Sequence, residues 1–270
     1  MCPMNSKVKP IFHVLSFIAL SLSLIPYCFA ESNKRLIDLT FPFSVDSIYW
    51  PTDKPFTPTI VAKGISEGGY WYASNQYAAS EHGGTHVDAP IHFYEQGRTI
   101  GQIPLQEWIG PAVKIDVTKE STANRDYLLS VDDILSWEKK HGLVPQGAWV
   151  IMQSGIDGSY YPKKKEVLGT DKSGKAAIAE LHFPGFSPEA VSFLLANRSI
   201  TGIAIDTPSI DPGTSKDFQV HRRLCSAQKL ALENIANLDK VPESGATLFV
   251  IPMLIKDGTG APARVFAELP

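Results

Sequence analysis

Between positions 82 and 93 the chain reads His-Gly-Gly-Thr-His-Val-Asp-Ala-Pro-Ile-His-Phe, and no regular element accommodates that run unbroken. His82, His86, Asp88 and His92 are all even-numbered, so a strand with period two would set them on one face, whereas a helix at 100° per residue would split them. A straight strand fails as well. At roughly 3.3 Å per residue His82 and His92 would lie about 33 Å apart, too far for ligands that bind an ion at about 2 Å. Gly83 and Gly84 permit unusual backbone angles, and Pro90 turns the residue before it away from helix. The segment is therefore expected to be a strand end that folds into a loop. Neutral imidazole and carboxylate are the usual donors for divalent transition metals, so these four residues form a candidate ligand set with one base to spare.

The first thirty residues read as a secretory leader. Lys7 and Lys9 precede an apolar run from Val14 to Ile25, and Cys28-Phe29-Ala30 ends on the small residue that cleavage favours. The run is shorter than the ~20 residues a membrane span needs. The expected organisation is thus a signal peptide over 1–30 and one domain over 31–270, in the secretory lumen or outside the cell. Without the leader, 23 basic residues face 28 acidic ones, a formal charge of −5. Nothing resembles the basic stripe of a nucleic-acid binder, and no membrane partner is expected after cleavage. Cys2 and Cys28 leave with the leader, so only Cys225 remains, flanked by Leu224 and read as a small buried hydrophobe. A chain of this size is held by one large core. Asn197-Arg198-Ser199 is a glycosylation sequon.

Strands are expected at Leu36 to Leu39, Tyr70 to Ala79, Ala112 to Val117, Ala148 to Gln153, Ile200 to Ile205 and Thr247 to Pro252. Helices interleave with them. Ser130 is a candidate N-cap for a helix from Val131 to Lys140 that stops at Gly142, and Ser187-Pro188 opens another towards Asn197. The alternation predicts an α/β or α+β fold with a mixed sheet. Tyr70 to Ala79 leads into the histidine run and is expected to be the rigid element that carries the ligands.

The pattern His-x-Gly-Thr-His-x-Asp-x-Pro-x-His-Phe, from His82 to Phe93, resembles the signature of the cyclase family of metal-dependent hydrolases, which includes bacterial kynurenine formamidase and isatin hydrolase. The resemblance extends to Tyr49-Trp50-Pro51-Thr52-Asp53-Lys54-Pro55-Phe56, to the run from Gly202 to Asp211, and to His221 with Glu233 twelve residues later. It implies a single-domain swivelling β/β/α-type fold and a homodimer. It implies metal ligands at His82, His86 and Asp88, with His221 and Glu233 completing a second position and Asp88 and Glu233 bridging two ions. His92 matches the family's proton donor and acceptor, and Trp50 an aromatic residue that touches substrate. The implied cofactor is Zn2+, one or two ions, with Mn2+ as the alternative. In some members, isatin hydrolase among them, glutamine replaces Glu233 and one manganese is bound, so Glu233 leans towards the binuclear formamidase type.

One helix cannot bring His221 and Glu233 together, since twelve residues rise about 18 Å. A break is expected around Ser226 to Lys229, with Leu230-Ala231-Leu232 running extended. His141 and His182 match nothing in the signature and are expected at the surface. Asp206 and Asp211 are expected to fix the loop before His221. The resemblance implies an amidohydrolase that converts N-formyl-L-kynurenine to kynurenine and formate. Ring opening of a cyclic amide of the isatin type is the alternative, and so is a secreted binding or signalling member. A serine hydrolase is the weaker reading beside this histidine set.

Overall fold

Strands buried along their whole length form the centre of this structure. Trp149–Gln153 exposes no residue, and neither do Gly202–Ile205 and Leu230–Glu233. Strands without a polar face belong to a sheet covered on both sides. The computed structural model describes residues 35–156 and 163–270, so the leader expected over 1–30 lies outside the described residues.

In chain order the first strands are β1 (Leu36–Asp38), β2 (Thr57–Ile65), β3 (Trp71–Ala78), β4 (His86–Asp88), β5 (Ile109–Asp116) and β6 (Leu128–Leu129). They are followed by β7 (Trp149–Gln153), β8 (Gly185–Phe186), β9 (Gly202–Ile205), β10 (Leu230–Glu233), β11 (Thr247–Pro252) and β12 (Gly260–Glu268). The helices are α1 (Thr118–Ala123), α2 (Val131–His141), α3 (Lys164–Leu168), α4 (Gly174–Ile178), α5 (Pro188–Asn197) and α6 (Gln219–Ser226). The main sheet has the order β1-β12-β11-β5-β7-β9-β10-β4, and β12 also pairs with β4, which closes it into a barrel-like arrangement. The run β5-β7-β9-β10 is parallel, whereas β4, β11, β12 and β1 join antiparallel. This is the expected mixed sheet, in one compact unit spanning Lys34–Pro270.

The period of two along each strand divides the core. Trp149 and Ile151 join one apolar cluster with Leu232, Val250 and Val265, while Val150 and Met152 join a second. The second includes Ile134 and Trp137 of α2, Val191 and Leu194 of α5, and Val220 and Leu224 of α6, so the helices cover that face. Each fully buried side chain of this kind contributes about 1.5–3 kcal/mol. The core needs no cross-link, and Cys225 is free and buried, as expected.

Local signals placed the helices well. The Ser130 hydroxyl accepts from Asp133 N, the Asp133 carboxylate accepts from Ser130 N at 2.7 Å, and α2 stops at Gly142, whose φ of 88° suits glycine. The Ser187 hydroxyl accepts from Ala190 N at the start of α5. The break before Glu233 is also found: α6 ends at Ser226, Gln228 takes a φ of 59°, and the chain turns back into β10.

Two expectations change. Tyr70 to Ala79 does form a strand, β3, but it pairs with β2 as a separate hairpin, with Trp71, Tyr72 and Tyr77 exposed. Each of its faces mixes apolar with polar residues, so neither can be buried against the barrel. The element that carries ligand candidates is instead β4, at the seam of the barrel. β12 went unforeseen because the buried residues of its first half are Gly260, Ala261 and Ala263, weak strand formers interrupted by Pro262. Among the described residues no helix is long and apolar enough to cross a membrane.

One partly buried ion pair ties the helical layer together. Arg198, just past α5, donates to both Glu138 oxygens on α2 at 2.6 Å, and Glu138 also accepts from Val144 N at 3.0 Å. The Arg198 hydrogen bonds, which outweigh the opposing effect of burial, hold the Glu138 carboxyl below its usual pKa. A depressed pKa contributes stability above the unfolded value near 4.5 and loses it as pH falls through the folded value. Glu138→Gln is therefore expected to cost about 1–3 kcal/mol at pH 7. Denaturant titration should show the gap to wild type closing as pH is lowered below about 4.5.

Candidate metal centre

The seam strand β4 places its side chains by the simplest rule of a strand. His86 and Asp88 are two apart and share a face, with Glu233 of β10 directly opposite His86 in the register. His82 reaches the same place because Gly84, at φ 58°, turns the chain just before β4. Tyr49 pairs across the turn with Gly83, and any side chain at position 83 would overlap the Tyr49 ring. Ala89 is extended ahead of Pro90, and His92 ends a short 3-10 turn, Pro90–His92, that carries it back over the cluster. His221 comes from the first turn of α6.

The distances define a tight, buried group. His86 Nε2 lies 3.3 Å from Asp88 Oδ1 and 3.4 Å from Glu233 Oε2. His221 Nε2 lies 3.2 Å from Asp88 Oδ2 and 3.1 Å from Glu233 Oε1. His82 Nδ1 is 2.7 Å from Asp88 Oδ1. The outward nitrogens have partners of their own: His86 Nδ1 donates to Gly84 O at 2.9 Å, and His221 Nδ1 to Asp211 Oδ2 at 2.7 Å. In its neutral form each of these two imidazoles therefore turns a lone pair towards the two carboxylates. Asp211 also accepts from Val220 N and His221 N, so it fixes the loop and the ring as expected. Asp206 instead accepts from Ser154 and Gly155 on β7's exit loop.

This group favours positive charge. Burial opposes protonation of His86, but the hydrogen bond to Asp88 and the charges of Asp88 and Glu233 outweigh it and raise its pKa to about 9. His221 is raised in the same way, by Asp211, Asp88 and Glu233 against burial. Asp88 is held well below the usual carboxylate range by His82, His221 and His86, although burial acts against this. Facing lone pairs and carboxylates of this type suit a divalent ion bound by nitrogen and oxygen. His86, Asp88 and Glu233 have donor atoms close enough to share an ion, and so do His82, Asp88 and His92.

His92 differs from the rest. Its ring stacks on His82 at 3.7 Å and meets His221 edge-on at 6.0 Å. Among the described residues, neither of its nitrogens has a hydrogen-bond partner. Burial, reinforced by His82, His221 and His86, pushes its pKa down to about 3 against the opposing charge of Asp88.

The group opens on a cavity of about 180 Å³ walled by Trp50, Phe93 and Phe218, and lined as well by Asp53, Ser209 and Asn234. Trp50 meets Phe218 edge-on at 5.8 Å, and Phe218 holds a positive φ of 51°, rare for a bulky residue and typical of functional sites. The structure thus brings His82, His86, Asp88, His92, His221, Glu233 and Trp50 to one cavity and leaves His141 and His182 at the surface. Sequence reasoning missed Phe93, Phe218 and Asn234 as walls; the aromatic residues were visible only as neighbours of His92 and His221. Gly64-Ile65-Ser66-Glu67-Gly68 has the spacing of a serine-hydrolase elbow, but it spans the turn of the β2–β3 hairpin rather than a strand-to-helix turn, and Ser66 Oγ has no base beside it.

Comparison with known proteins agrees with this geometry. The family model described as "Putative cyclase" matches residues 37–212. Isatin hydrolase of Roseibium aggregatum is 35% identical over 226 residues, 79% of this chain and 82% of that protein. Kynurenine formamidase of Bacillus anthracis is 27% identical over 235 residues, 86% of this chain and 96% of that protein. Among solved structures, isatin hydrolase A from Labrenzia aggregata bound to benzyl benzoate matches with a TM-score of 0.78 and 33% identity, covering 87% of this chain and 94% of that one. With its barrel seam, its imidazole and carboxylate cluster and these hydrolase relatives, the chain belongs to the cyclase family of metal-dependent hydrolases.

Proposed function

We propose that this enzyme cleaves the bond between an acyl carbon and an aromatic amine nitrogen, with His82, His86, Asp88, His221 and Glu233 as ligands to one or two Zn2+ ions, or to Mn2+. The observation that carries the reading is the convergence of three imidazoles on two buried carboxylates. A divalent ion held there lowers the pKa of water and polarises a carbonyl. Asp88 and Glu233 each direct their oxygens at two or more histidines, an arrangement suited to bridging. His92, neutral and without a protein partner, takes the proton released on attack and delivers it to the departing nitrogen. Trp50, Phe93 and Phe218 hold a flat ring and keep bulk water out.

Two substrates satisfy this chemistry. The cavity is smaller than the roughly 300–1,000 Å³ common for drug-sized ligands, and among the described residues no lysine or arginine lines it. A compact, uncharged cyclic amide of the isatin type therefore fits best, a reading supported by the 35% identity to an isatin hydrolase. N-formyl-L-kynurenine is the second reading. It is favoured by Glu233, which keeps the binuclear ligand pattern, and by Asp53, a carboxylate lining the cavity and able to pair with an ammonium group. The retained ligand set argues against a family member that only binds or signals. A homodimer is part of the proposal, supported by the exposed apolar hairpin, as is a secreted location, supported by the leader pattern of residues 1–30.

The decisive assay strips the purified protein of metal, restores Zn2+ or Mn2+, and follows isatin and N-formyl-L-kynurenine side by side. Metal-dependent turnover is expected, with isatin preferred; turnover of neither by the loaded protein would contradict the substrate class. His92→Ala should keep its metal and lose about 10²-fold or more in kcat; a fully active variant would refute the acid-base role. Asp88→Ala should lose metal by elemental analysis, and normal occupancy would remove Asp88 from the ligand set.

A further inference from the structure

Two residues outside the candidate ligand set form a hydrogen-bonded chain that ends on His82. Thr259 lies just ahead of β12, and its backbone N and its hydroxyl both donate to Glu81 Oε2, at 2.8 and 2.7 Å. Gly260 N approaches the same oxygen at 3.3 Å. A carboxylate only accepts, so the Thr259 hydroxyl proton is committed to Glu81 and its oxygen is left to accept. The group that meets this oxygen is His82 Nε2, at 2.8 Å. His82 Nε2 therefore carries a proton, and Nδ1 is the nitrogen turned to Asp88. The rest of the ring is equally confined. His92 covers one face at 3.7 Å, and a methyl group at Gly260 would lie 2.4 Å from His82 Cε1.

We propose that Thr259, oriented by Glu81, is a positioning residue that fixes the His82 tautomer and presents Nδ1 to the ion, an inference that rests on the ligand reading above. The three histidines would then be set by three different acceptors: a backbone carbonyl for His86, a carboxylate for His221, and an oriented hydroxyl for His82. Only the last comes from the far end of the chain, 177 residues from His82. It is delivered by the same β4–β12 pairing that closes the barrel, with Gly260 opposite Asp88 and Ala89 N bonded to Thr259 O at 2.9 Å. Barrel closure and the orientation of the first ligand are thus one event.

The test uses the full chain and Zn2+, with affinity read by competition against a chromophoric chelator. Thr259→Val, close in shape but without a hydroxyl, is expected to weaken Zn2+ binding about ten- to hundredfold, the usual cost of losing such a partner. Thr259→Ser should restore it. Wild-type affinity in Thr259→Val, together with weakened binding in His82→Ala, would overturn the positioning role while leaving His82 a ligand. Wild-type affinity in His82→Ala would instead refute the ligand reading itself. Should the valine variant not fold, nitrogen NMR of the zinc-loaded wild type decides: a proton on His82 Nε2 supports the proposal, and a proton on Nδ1 overturns it.

Discussion

The rest of the site depends on the burial of Asp88. It ends the seam strand β4, paired with Ala231 of β10 on one side and Gly260 of β12 on the other, with almost no access to solvent. A carboxylate taken out of water at such a position requires compensation by charge or hydrogen bonds. His82, His86 and His221 supply it, one from the turn before β4, one from β4 itself and one from α6. Each of these segments is held in place by a different part of the fold. The barrel, the helix and the turn must therefore all be correct before Asp88 is satisfied, which makes the cluster a consequence of the whole chain rather than of one motif.

How far this was legible in the sequence depended on the range of the signal. The cap at Ser130, the stop at Gly142 and the bend at Gly84 are local, and each lies where its residue type requires. The break between His221 and Glu233 followed from the reach of a helix and needed no structure. The carrier strand did not follow, because alternation in residues 71–78 is blind to whether either face meets a partner. β12 was invisible for the opposite reason: alanine and proline conceal a strand whose place is set by tertiary pairing. The roles of Glu81 and Thr259 were hidden for the same cause, since their meeting with His82 exists only once the seam is closed.

The cavity adds a constraint the candidate ligand set lacks. Imidazole and carboxylate clusters of this kind serve many hydrolytic reactions, whereas Trp50, Phe93 and Phe218 leave a small space between flat rings. Phe218 adopts a backbone conformation disfavoured for its type, held by the hydrogen bonds through which Ser215 and Asp211 tie its loop to the start of α6. One wall of the cavity is therefore a loop held by Asp211, the same residue that orients His221.

A metal role for the buried cluster is tested most directly by crystals of the zinc-loaded protein measured on both sides of the zinc absorption edge. An anomalous peak among His86, Asp88, His221 and Glu233 is the expected result. A peak found only at a surface pair such as His141 and Glu243, with the buried imidazoles and carboxylates bonded directly to one another, would contradict it.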